Sequence, residues 1–259
     1  MTPASYAAEI QKISQRLVSS RHAVVLTGAG ISTPSGIPDF RSQRTGLWIQ
    51  NDPMQVASLT AFHRRPGSFF NWLRPLAVKI WQAQPNPAHI ALAELEKTGV
   101  VKAIITQNID GLHQKAGSQQ VIEVHGSLRT LSCPACHKVY PSGQFMEPFI
   151  DHGLVPRCTF CQKILKPDIV LYEEVLPAEV WSRAYTNSER ADVMLVVGSS
   201  LEVMPVGRLP WQALESGAEV IIINLSPTPI DQQASVVIHG DAALILPQIA
   251  ENHCFRILR

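Results

Sequence analysis

The chain has 259 residues, 46% of them apolar, with 22 basic and 21 acidic side chains and a formal net charge of +1. That length suits one large domain, or one domain with a small insert, and is ample for a sizeable core. The near balance of charge provides no field to draw nucleic acid or an acidic membrane surface, so neither is expected as a partner.

Residues 1–16 carry Glu9, Lys12 and Arg16 and predict an amphipathic helix, without the basic cap and apolar core of a signal peptide. No apolar run reaches the roughly 18 residues that cross a bilayer. The expectation is a soluble, unexported protein of the cytoplasm. The 19 prolines and 15 glycines fall mostly between apolar runs and read as loop punctuation.

The first apolar run, residues 23–27, reads as a buried strand. It leads into Gly28-Ala29-Gly30-Ile31-Ser32-Thr33. Glycines at a strand end let the backbone approach a pyrophosphate and point free N–H groups at it. The dinucleotide fingerprint Gly-x-Gly-x-x-Gly is broken here, because Thr33 stands at the third glycine. Pro34 and Pro38 follow, so the segment continues as a rigid loop ending in Asp39-Phe40-Arg41.

Residues 43–84 hold Trp48, Phe62, Phe69, Phe70, Trp72 and Trp81 and read as a helical module beside a sheet. Its tryptophans are expected in the core of that module in preference to the wall of a substrate pocket. A helix is expected over 87–97, followed by strands over 101–106 and 121–124. Beyond an insert come strands over 193–197, 219–223 and 235–238, with helical stretches over 205–216 and 229–234. Short Val- and Ile-rich runs alternating with helices predict an α/β fold, a doubly wound parallel sheet covered on both faces. Residues 1–42, 85–128 and 167–259 are assigned to this Rossmann-like domain.

Each predicted strand ends in small or hydrogen-bonding residues. After the glycine loop these are Gln107-Asn108-Ile109-Asp110, His125-Gly126, Gly198-Ser199-Ser200, Asn224-Leu225-Ser226 and His239-Gly240-Asp241-Ala242. Ligands bind at the carboxyl edge of an open α/β sheet, so these tips are expected to form one site.

The insert, residues 129–166, holds two C-x-x-C pairs, Cys133/Cys136 and Cys158/Cys161, separated by 21 residues. Two such knuckles make a closed four-thiolate zinc site, which leaves no position for a reacting water and is therefore structural. An insert this short has little core of its own, and the metal would supply folding energy. A redox dithiol or disulfides are the competing readings, and an unexported chain disfavours stable disulfides.

Taken together these motifs resemble the sirtuin family of NAD-dependent protein deacylases, in its bacterial-type deacetylase branch. The resemblance runs over about residues 20–246. It is carried by Gly28 to Ser32, Gly36 to Arg41, Thr106 to His113, Val124-His125-Gly126-Ser127, both cysteine pairs, Gly198 to Leu201 and Ile223-Asn224-Leu225. It implies a Rossmann-like NAD domain with a small zinc domain and a helical module inserted. It also implies a reaction in which an acyl-lysine oxygen attacks C1′ of the nicotinamide ribose and nicotinamide leaves. His125 then acts as general base on the ribose hydroxyls, and the acyl group leaves on ADP-ribose. On this reading Asp110 and the backbone of Ile109 meet the nicotinamide carboxamide, and Phe40 shields the reacting face. Arg41 meets phosphate, and Asn108 meets the ribose hydroxyls or a water. Ser199, Ser200 and Asn224 lie along the adenosine half, with Asp241 and Ala242 near the adenine. His113 is expected to fix the loop, and Asp39 either caps it or touches the ligand. The partners implied are acetylated-lysine proteins, and a monomer is expected without the resemblance bearing on it. An NAD glycohydrolase or mono-ADP-ribosyltransferase, or a non-catalytic NAD sensor, would share the same loops.

Two departures stand out. The family shows Phe-Gly-Glu after the zinc insert, where a backbone strand pairs with the substrate peptide. Here Val170-Leu171-Tyr172 are the expected substrate residues, and Glu173 replaces the glycine. A residue with a Cβ at that position either strains the turn or changes its path, and its charge could favour basic residues on the substrate. The desuccinylating branch carries Tyr-x-x-Arg, whereas Arg74 here is preceded by Asn71. A neutral acyl group, acetyl above all, is therefore expected.

Overall fold

The structure is a computed structural model that describes residues 6–40 and 46–257. Arg41 lies outside the described residues. Nine strands occur among them: β1 (Ala23–Thr27), β2 (Val101–Thr106), β3 (Val121–Glu123), β4 (Gly126–Ser132), β5 (Val139–Pro141), β6 (Lys166–Ile169), β7 (Val193–Val197), β8 (Glu219–Ile223) and β9 (Val236–Ile238).

Six of these form one parallel sheet in the order β3-β2-β1-β7-β8-β9. The order runs outward in both directions from β1, which is the Rossmann arrangement, and the chain reverses direction across the sheet between β1 and β7. Every residue of β1 and of β7 is buried. That is why these strands read as continuous apolar runs without alternation.

One face is covered by helices Ala7–Ser19, Pro87–Lys97 and Ala242–Ile257, which bury Ile10, Ile13, Leu17, Leu92, Leu95 and Leu246 against the sheet. The other is covered by helices Ala178–Arg190 and Leu209–Glu215 over Val24, Leu26, Met194 and Ile222. Asn86 caps helix Pro87–Lys97 by accepting from the Ala88 N–H, with Pro87 at the first helical position. Its amide also donates to the Ile31 carbonyl at 2.8 Å and to Ser35 Oγ at 3.0 Å, which ties that helix to the glycine loop.

Strands β5, β4 and β6 form a separate antiparallel sheet that carries the four cysteines. Pairing of β4 with β6 begins at Gly126 and reaches Ile169, wider than the expected insert. The insert also contains a helix, Gly143–His152, that has no clear sequence signature. Its Met146 and Phe149 share one apolar cluster with Phe62, Phe69, Phe70 and Leu73, and Phe149 meets Phe70 edge-on at 5.6 Å. The cysteine insert and the helical segments between 47 and 82 are thus packed on a common core.

Candidate active site

The loops leaving β1 and β7 cross in main-chain contact. The Gly28 N–H donates to the Val197 carbonyl at 3.1 Å, and the Gly30 N–H to the Gly198 carbonyl at 2.8 Å. Gly198 has φ +60°, and a Cβ there would lie 2.3 Å from the Ile31 nitrogen. Only glycine allows this approach, which forms the floor of the site at the sheet's switch point.

Above it opens a cavity of about 1110 Å³. That is at the upper end for a small-molecule site and has room for a dinucleotide beside a second substrate. Every strand tip named from the sequence contributes to its lining. Gly28, Ala29, Gly30 and Thr33 come from the first loop, and Gln107, Asn108 and Ile109 follow β2. His125 comes next, then Gly198, Ser199 and Ser200, then Asn224, Leu225 and Ser226, and finally Asp241 and Ala242. Asp39 and Phe40 also line it. Gln107 Nε2 donates to Ser199 Oγ at 2.9 Å and so bridges two tips across β1.

Three residues expected at the cofactor are not part of this lining. The Ile31 side chain is fully buried in the sheet core, so at most its backbone is available to a ligand. Ser32 and Asp110 line an adjoining recess of about 20 Å³, together with Ala29, Phe40, Asn108 and Ile109 of the cavity wall and with Ile37, Pro38 and Ile80.

There they belong to a buried polar network. Ser32 Oγ donates to Asp110 Oδ2 at 2.7 Å, and the Leu112 N–H donates to Asp110 Oδ1 at 2.9 Å. Asn108 Nδ2 donates to the Gly28 carbonyl at 3.0 Å and to Ser32 Oγ at 3.1 Å. Both amide protons of Asn108 are therefore engaged within the chain, and what it offers a ribose hydroxyl is its Oδ1 acceptor. Below, Thr27 Oγ1 donates to Thr106 Oγ1 at 2.8 Å and lies 2.9 Å from His113 Nε2. His113 packs edge-on against His89 at 5.0 Å. Burial lowers His89 to about 4, and burial together with the neighbouring His89 lowers His113 to about 3. Both rings are neutral props under the loops. Burial raises the Asp110 carboxyl, against the lowering effect of the Leu112 N–H and the Ser32 hydroxyl.

His125 follows β3 and reaches the cavity edge. Its Nδ1 lies 3.1 Å from the Gln107 carbonyl oxygen, which can only accept. Nδ1 therefore carries the proton, and in the neutral ring Nε2 holds the lone pair of a base. The next residue, Gly126, has φ +75°, and a Cβ on it would lie 2.1 Å from the Asp168 carbonyl oxygen. This crossing brings β6 beside the histidine, and the Val170 N–H donates to the His125 carbonyl at 2.8 Å.

The far wall is aromatic. Phe40 stacks on Trp48 at 5.2 Å, Trp48 on Trp72 at 5.7 Å, and Tyr172 meets Trp48 edge-on at 6.0 Å. Trp48, Trp72, Leu73, Leu76 and Ala57 all line the cavity. The expected core placement is thus corrected for Trp48, which is wall, and for Trp81, which is 51% exposed, while Trp72 packs on the module core and lines the cavity as well. An aromatic-rich helical segment reads the same in sequence whether its rings face a core or a cavity. Arg74 does not reach this wall. Its guanidinium donates to the Ile150 and Asp151 carbonyls at the end of helix Gly143–His152.

Val170, Leu171 and Tyr172 line the cavity as expected. Their N–H groups are already engaged, by the His125 carbonyl, the Glu174 carboxylate and the Ala57 carbonyl in turn. The lining continues through Val175, Leu176 and Trp181 and through Glu202, Val203 and Met204, which sequence reasoning did not single out. Apart from Trp181, which lies within helix Ala178–Arg190, their only sequence signal is that they directly follow motif residues.

In the insert, the four thiol sulfurs lie within 4.8 Å of one another. The knuckles are copies of each other. The Cys133 and Cys158 carbonyls accept from the His137 and Gln162 N–H groups, both at 2.9 Å, and those two residues have φ near +60°. Sulfur separations of 3.4, 3.5 and 3.7 Å are close to the roughly 3.8 Å edge of a tetrahedron with ~2.3 Å metal–sulfur bonds.

A cavity at the switch point of a parallel sheet is where dinucleotide-binding folds hold their ligand, and a histidine poised as a base makes this an enzyme's version of that site. The chain belongs to the Sir2 family, whose model matches residues 28–205. It is 47% identical over 245 residues to an NAD-dependent protein deacylase 2 of Archaeoglobus fulgidus, covering 94% of this chain and 96% of that protein. It is 45% identical to an NAD-dependent protein deacetylase 1 of Geobacillus kaustophilus, covering 88% and 91%. A solved Sir2 enzyme structure superposes with TM-score 0.88 at 45% identity, covering 97% of this chain and 99% of that one. A Sir2 structure bound to a myristoylated histone peptide does so with TM-score 0.83 at 41% identity, covering 97% and 99%.

Proposed function

We propose that this chain is an NAD-dependent protein-lysine deacylase. The observation that carries the reading is the continuity of one cavity, from the glycine loop past His125 to the aromatic wall. A glycohydrolase needs the first part of that path and not the last. NAD supplies a glycosidic bond whose cleavage releases nicotinamide, and a ribose that takes the acyl group.

The chain's residues bind, orient and move a proton. The glycine loop and the tips after β7, β8 and β9 hold the dinucleotide, and Asn108 Oδ1 accepts from a ribose hydroxyl. Phe40 and the stacked tryptophans exclude water from the reacting face, which keeps hydrolysis from competing with acyl transfer. His125 Nε2 accepts the ribose hydroxyl proton. The peptide pairs with main chain beyond Glu173, since the N–H groups of residues 170–172 are engaged, and lies between the exposed Val175 and Met204. The acyl chain lies along Trp48, Trp72, Leu73 and Leu76, a neutral wall that suits acetyl and leaves space for longer chains. A structural zinc ion sits on Cys133, Cys136, Cys158 and Cys161. The near-neutral charge fits action on acylated proteins and not on nucleic acid.

The test is incubation with NAD, with and without an acyl-lysine peptide, following nicotinamide and the ADP-ribose product. Peptide-dependent release with an acylated ADP-ribose is expected, with acetyl- turned over faster than succinyl-lysine. Equal release without peptide supports the glycohydrolase, and faster succinyl turnover overturns the neutral pocket.

A further inference from the structure

Glu173, at the position where the family shows glycine, has φ +74°. A side chain with a Cβ rarely adopts that conformation, so something must hold it there. The side chain itself shows what does. Its Oε2 accepts from the Thr60 N–H at 2.8 Å. That N–H, then the Thr60 hydroxyl, and then the charge of Arg64 hold the carboxyl below the usual carboxylate range.

Thr60 is the second residue of helix Leu59–Arg64, whose first N–H groups have no partner within the helix. Three acceptors meet them. The Leu59 N–H donates to the Tyr172 carbonyl at 3.0 Å, Thr60 to Glu173, and Ala61 to Ser58 Oγ at 3.0 Å. Two of the three come from the segment that follows β6. The Tyr172 N–H returns a bond to the Ala57 carbonyl at 3.0 Å. This joint lies at the cavity, whose lining includes Ala57, Tyr172 and Glu173.

We infer that Glu173 is a positioning residue, a carboxylate tether that locks the turn after the substrate segment onto the start of helix Leu59–Arg64 and so pre-forms the edge that receives the acyl-lysine peptide. The inference rests on the deacylase reading for the identity of that peptide. One carboxylate oxygen is committed to Thr60, so Glu173 acts by holding main chain. A glycine would relieve the backbone and remove the tether.

Glu173→Gly and Glu173→Gln separate these effects. Glycine is the residue best suited to this backbone, so the first variant keeps its fold. Its KM for an acetyl-lysine peptide is expected to rise about three- to tenfold, the worth of one hydrogen bond, with kcat and the KM for NAD unchanged. Amide hydrogen exchange at Thr60 is expected to accelerate. Glu173→Gln, whose amide oxygen still accepts, restores both toward wild type. An unchanged peptide KM in Glu173→Gly, unchanged Thr60 exchange, or equal losses in both variants would overturn the inference. Failure of the wild type to turn over any acyl peptide would sink the deacylase reading instead. The Thr60 exchange would still judge the tether in that case.

Discussion

At Gly198 two main chains touch, and no side chain fits between them. Replacing it with Ala places a Cβ against the Ile31 nitrogen and forces φ +60° on a residue that resists it. Overpacking of this kind costs about 1–3 kcal/mol, so Gly198→Ala should lower Tm by several degrees and abolish NAD binding by calorimetry. Retained NAD affinity would show that the crossing of the loops does not shape the site. His89 and His113 act through protonation. Unfolded, both titrate near 6.5, whereas in the fold they stay neutral down to about 4 and about 3. Between those values the unfolded chain binds more protons, so their contribution is fully present above pH 6.5 and is lost as pH falls toward 4 and below. The raised Asp110 carboxyl works in the opposite sense, but over the carboxylate range. Thermal melts should therefore show Tm falling from pH 6.5 to 4, with a shallower fall in His89→Asn. A flat profile would mean the rings are solvated.

Among the elements, the cysteine insert shows how far local pattern reaches. The paired C-x-x-C spacing marked the four clustered cysteines, because two-residue loops turn both sulfurs to one side. Helix Gly143–His152 escaped notice because glycine opens it, Pro148 interrupts it, and its apolar partners Phe70 and Leu73 lie some 70 residues away in sequence. The shared core predicts what metal loss does. If the four cysteines hold the proposed zinc, a chelator, or Cys158→Ser, should release amide protection across β4, β5 and helix Gly143–His152 and loosen the aromatic wall, with β1 and β7 still protected. Deacylation should fall with the insert. Unchanged protection in a metal-free chain would assign the insert's stability to its apolar contacts alone.

For the molecule as a whole, the parallel sheet was the most legible feature. The expected strands match the observed ones to within a residue, since buried parallel strands are β-branched on both faces and end at glycine or polar residues. Their order brings the motif-bearing tips to one cavity, which single motifs could not establish. What sequence pattern could not convey was depth. Ile31 shares a motif with cavity residues yet lies in the sheet core, and Ser32 and Asp110 face a recess beside the cavity, while Trp48 and Trp72 share a composition with core residues yet line the wall.

The account stands on an imidazole placed where those tips converge, with its Nδ1 proton held by the Gln107 carbonyl. The most direct test is His125→Ala, measured for NAD binding, Tm and deacylation side by side. We expect NAD affinity and Tm close to wild type, with deacylation slower by about 10²- to 10⁴-fold, the range for losing a general base. Deacylation near the wild-type rate in that variant would contradict the role given to His125 and the mechanism built on it.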